Sequence, residues 1–93
     1  MGRYECRISS IEALLSDSVN LNKKLSYLRN HTTVKNAISV VNFANGLSLQ
    51  FNMLRNAIVT DLRANWIDVD EYEILVGELE KVKSILVMLG VEV

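Results

Sequence analysis

A chain of 93 residues, 49% apolar and without proline, is too hydrophobic to stay disordered and free to build long helices, so one helical domain over residues 1–93 is expected. The formal net charge of −1 lacks the basic excess of a duplex nucleic-acid binder. The single cysteine, Cys6, excludes an internal disulfide and a cysteine-based zinc site, and residues 1–7 carry no apolar signal segment or myristoylation motif, so a cytoplasmic location is expected.

The first helix is predicted over about 10–30. Ser9 and Glu12 have the spacing of a capping box, and Ile11, Leu14, Leu21, Leu25 and Leu28 recur in steps of three and four and their multiples, with Ser18 taking one polar turn in the seam. Lys23, Lys24 and Arg29 suit the negative end of the helix dipole, and Asn30 is a candidate left-handed stop. Thr32 or Thr33 can cap a second helix over about 33–65. Its inward stripe runs Ala37, Val40, Ala44, Leu47, Phe51, Leu54, Ile58 and Leu62. Asn45-Gly46 is a turn signal in many contexts, yet the stripe crosses it without changing phase. A third helix over about 69–89 has a capping box in Asp68 and Glu71, a hydrophobic staple in Ile67 and Tyr72, and Gly90-Val91 for a Schellman ending. Trp66 is expected to close one end of the core.

Short connections make consecutive helices antiparallel neighbours. The fold expected is therefore an all-α, antiparallel up-down-up bundle of three long helices, or four if the second breaks at Asn45-Gly46.

Between Lys35 and Arg55 there is no charged side chain for nineteen residues, whereas a water-facing helix carries charge almost every turn. A membrane span does not explain this, because the asparagines and serines of the run need hydrogen-bond partners that lipid lacks. Projected at 100° per residue, a second stripe lies opposite the first: Ile38, Asn42, Asn45, Leu49, Asn52, Asn56 and Val59. Apolar positions alternating with asparagine pairs have the pattern of a seam packed against another helix, in which amides fix register. The partner expected is another protein or a second copy of the chain, in a homodimer.

Residues that carry chemistry are sparse. His31 is the only histidine and falls in a predicted turn with Lys35 four residues on, whereas histidine-phosphotransfer bundles place the lysine three after a histidine inside a helix. The acidic group Asp68, Asp70, Glu71 and Glu73 is explained by capping and the helix dipole. No nucleophile elbow, phosphate loop or Glu-x-x-His pattern is present, so neither catalysis nor a cofactor is expected. Lys23, Lys24, Arg29 and Lys35 around the first turn form the one patch suited to a phosphate backbone, and without interleaved aromatics they make nucleic-acid binding the lesser alternative. By size and architecture the chain resembles small helical regulators, among them bacteriocin-immunity bundles and phage-encoded inhibitors. That likeness is one of architecture and carries no residue across. The function expected is that of a small non-enzymatic interaction module, a regulator, adaptor or inhibitor, acting through its second helix.

Overall fold

The three apolar stripes become three α-helices in the computed structural model, which describes residues 2–93: α1 (Arg3–Asn30), α2 (Val34–Arg63) and α3 (Val69–Met88). Turns of three and five residues join them. Such turns leave the chain no choice but to reverse, and the contacts follow the antiparallel order. Arg7 near the start of α1 meets Asp61 near the end of α2, and Ser48 in the middle of α2 donates to the Glu92 carbonyl just beyond α3.

Every helix buries one stripe. Leu14 and Leu21 of α1, Leu47, Phe51 and Ile58 of α2, and Leu75, Val82 and Leu86 of α3 form the centre of the core, with Ile67 and Val91 closing its ends. Each large apolar side chain fully removed from water contributes about 1.5–3 kcal/mol, and these burials hold the helices together. Ser18 sits in that centre, fully buried, because its hydroxyl donates to the Leu14 carbonyl one turn back at 2.9 Å.

The middle helix is continuous. α2 runs unbroken through Asn45-Gly46 for 30 residues, about 45 Å at 1.5 Å per residue. A four-helix arrangement is thereby excluded. The inward stripe keeps its phase across the glycine, so breaking the helix there would take Leu47, Phe51 and Leu54 out of register with the core. A Cβ added at Gly46 meets nothing within 4 Å, so the residue serves neither a turn nor a close approach.

The beginning of α1 differs from the expectation. The helix starts at Arg3, not near Ser10, and Ser9 and Ser10 lie inside it, with the Ser10 hydroxyl donating to the Cys6 carbonyl. The Ser9 and Glu12 box is not formed. Tertiary packing outweighs the local signal: Tyr4 and Ile8 pack on the core, and Arg7 grips Asp61 through two bonds, Nε to Oδ2 at 2.7 Å and Nη2 to Oδ1 at 3.2 Å. Asp61 is only 1% exposed, and its hydrogen bonds to Arg7 raise the guanidinium pKa above the ordinary value against the opposing cost of burial.

The helix ends follow their capping chemistry. Thr33 caps α2 by accepting from the Asn36 amide at 3.1 Å, while Thr32 donates to Leu28. Asn30 is the last residue of α1 rather than a left-handed stop, because Asn36 Nδ2 donates to the His31 carbonyl and holds the turn extended. The left-handed asparagine is Asn65 after α2, at φ 61°. Asp68 and Glu71 form the reciprocal box at α3, and Gly90 at φ 85° lets the Val91 amide reach the Leu86 carbonyl at 2.9 Å. Trp66 does not close the core. It is 54% exposed, with the Arg3 guanidinium 4.2 Å from its ring centre, and its neighbour Ile67 takes the buried position.

Two substitutions test this account by urea unfolding. Gly46→Ala gains helix propensity in open space and is expected to stabilise by up to about 1 kcal/mol; a loss of stability would mean the helix bends there in solution. Arg7→Met leaves the Asp61 carboxylate buried without its partner and is expected to destabilise by about 2–3 kcal/mol, with no change indicating that α1 is not docked at its start.

Candidate functional site

α2 packs between two helices and still has a free side. With the core stripe on one side of the cylinder, residues 180° away on a 100° projection must face out, and Gly90, Val91 and Glu92 border that face beside Val41 and Asn45. Ile38 is 54% exposed and Leu49 61%, both on that outward line, and Val41 and Met53 flank it at 56% and 62%. Asn42, Asn45 and Asn56 are exposed as well. These apolar side chains stand among neutral amides over a stretch of helix with no charge.

Two residues of the predicted stripe lie nearer the edge. Asn52 is half-buried, and its Oδ1 accepts from Arg55 Nη2 at 3.0 Å. Val59 is half-buried beside Tyr72 and Val76, where α3 closes over the flank of α2. The drift has a geometric cause: the stripe repeats every 3.5 residues and a straight helix every 3.6, so its positions creep around the cylinder by about 20° per heptad. Val41 and Met53, which extend the outward face, were not singled out in sequence, because they stand one position off the stripe.

The most enclosed groove, between α2 and α3 and lined by Phe51, Val59, Tyr72 and Lys83 among others, holds about 140 Å³, while three more open ones, of about 420, 380 and 320 Å³, reach the roughly 300–1,000 Å³ of a drug-sized site. The others are shallow and open to solvent. Among the described residues no three His, Cys, Asp or Glu side chains come together in a way that could hold a metal ion. Cys6 and His31 lie at opposite ends of α1, about 38 Å apart along the axis. Among the described residues no helix is long and apolar enough to cross a membrane.

The basic turn is real but dispersed. Lys23 and Lys24 line an open groove with Tyr27, Asn36 and Ser39, and the Lys24 ammonium lies 5.3 Å from the Phe43 ring centre. Arg29, five and six positions later on α1, is rotated by 120–140° from the lysines and points to another side. Lys35 is exposed in the first turn of α2, and His31 at the turn stacks on Tyr27 with ring centres 4.3 Å apart. Arg29 thus stands apart from Lys23 and Lys24, and Tyr27 and Phe43 beside the lysines are engaged within the chain.

A gel-retardation experiment at low salt, with both duplex and single-stranded probes, is therefore expected to show no shift. A shift that disappears steeply with added salt would restore the basic turn as a nucleic-acid site. No protein-family model, curated protein or solved structure matches this chain.

Proposed function

We propose that the chain is a small non-enzymatic interaction module that binds another polypeptide helix along the outer face of α2. The observation that carries the reading is a row of large apolar side chains, Ile38, Leu49 and their neighbours Val41 and Met53, exposed on an unbroken helix that has no charge for nineteen residues. Water favours charge on such a face, and a partner's apolar surface disfavours it, because an unpaired charge carried into an interface must be desolvated. The outward positions alternate in steps of four and three, a mean of 3.5, which is the period at which one helix stays in contact with another. The asparagines fit the same use: an amide at a helix seam costs some stability and fixes register.

The test compares proteins retained from an extract of the source cells by the immobilised wild type, by Leu49→Asp, and by Lys81→Ala on the outer side of α3. Leu49 lies outside the core, so circular dichroism should show the same helicity in all three. Binding lost with Leu49→Asp and kept with Lys81→Ala is expected. Identical sets from wild type and Leu49→Asp would overturn the reading.

A further inference from the structure

The outward stripe of α2 reads the same in both directions. From its two ends inward it runs Ile38 and Val59, then Asn42 and Asn56, then Asn45 and Asn52, with Leu49 at the centre; Val59 and Asn52 stand half-buried at the edge of the face and the other five in the open. The midpoint of every pair falls on Leu49 or half a residue before it. A face of this kind matches itself when turned end for end: apolar ends meet apolar ends, amides meet amides, and Leu49 meets Leu49. That is the requirement of an isologous two-fold contact, where each residue's neighbour is supplied by the same patch on the other copy.

The charges of the bundle select the same orientation. No acidic residue occurs between Asp17 and Asp61, so the end of the molecule built from the α1–α2 turn carries Lys23, Lys24, Arg29 and Lys35 unopposed. The opposite end holds Asp68, Asp70, Glu71 and Glu73 at the start of α3, with Glu5, against Arg3 and Arg63, so acidic charge predominates there. Antiparallel pairing sets each basic end beside an acidic end, whereas parallel pairing sets like beside like. Antiparallel helix dipoles add in the same sense. One pair opposes it, since Arg63 falls level with the partner's Lys35, but these stand at the exposed ends of the seam, where water screens them.

From these two observations we infer that the occupant of the outer face is a second copy of the chain, laid antiparallel along α2 with the two-fold axis beside Leu49. The inference rests on the proposed interface and names its partner. In the dimer Met53 comes beside the partner's Asn45 and Val41 beside the partner's Asn56, so the flanking apolar residues are covered too.

Two measurements on the full chain test it. Sedimentation equilibrium of the wild type is expected to give twice the 10.5 kDa chain mass at high micromolar concentration, and Leu49→Asp, which alters both sides of the axis, to raise the dissociation constant about 100-fold. Asn45→Lys, at another exposed position, should weaken it too, and serves if Leu49→Asp loses helicity. A spin label on the exposed Cys6, level with the end of α2, reports orientation: antiparallel pairing separates the two labels by about 40 Å or more along the axis, and parallel pairing brings them level. A wild type that stays monomeric, a dimer indifferent to both substitutions, or labels well under 40 Å apart would overturn the inference. A monomer that still captures another protein through Leu49 would overturn the second copy alone and leave the interface standing.

Discussion

The structure depends on the phase of one helix. α2 packs against both α1 and α3, and it can do so because its inward stripe runs through Gly46 without losing a residue of register. A glycine inside a helix costs about 1 kcal/mol relative to alanine, while taking Leu47, Phe51 and Leu54 out of the core would forgo several times that amount. The burial term wins, and the helix stays whole. Its length then fixes the shape of the molecule, 48 Å along its longest axis and 22 × 16 Å across. α3, ten residues shorter than α2, leaves the end formed by the α1–α2 turn with two helices instead of three.

That geometry also explains why α2 has a free face. Three helices in a bundle each bury one side, and the middle helix of the chain is no exception. What distinguishes it is composition: α1 and α3 carry charges along their outer surfaces, and α2 does not carry any between Lys35 and Arg55. Physical chemistry gives such a surface two uses in a protein, contact with lipid or contact with protein. The amides weigh against the first, since lipid offers them no hydrogen-bond partner. The second agrees with the 3.5-residue spacing and the reversible order of the stripe.

Much of the fold was legible in the residues, and what was not has a common cause. The periodic stripes, the Asp68 and Glu71 box, the Thr33 cap and the Gly90-Val91 ending act over three to six residues, so local pattern contains them whole. The start of α1 does not. Ser9 and Glu12 carry a valid local start signal, and it loses to the partners that Tyr4, Arg7 and Ile8 find on other helices; Arg7 and Asp61 are 54 positions apart, and nothing in either neighbourhood announces the pair. Beyond the left-handed Asn65, Ile67 is the residue that is buried and Trp66 stays exposed under Arg3, a contact that neither neighbourhood announces. On the outer face of α2, sequence placed all seven stripe residues in the open; five of them are, while Asn52, held by Arg55, and Val59, beside Tyr72 and Val76 of α3, are half-buried.

The central claim is that the exposed apolar side of α2 is covered by a second copy of the chain, and two methionines allow it to be tested within one chain. Met53 borders that side at 62% exposure, and Met88, at 85%, stands on the outer side of α3. Hydroxyl-radical footprinting of the wild type at low and at high protein concentration reads both residues in the same sample. Protection of Met53 that grows with concentration, while Met88 stays reactive, is the predicted result; equal reactivity of both methionines at every concentration would contradict it.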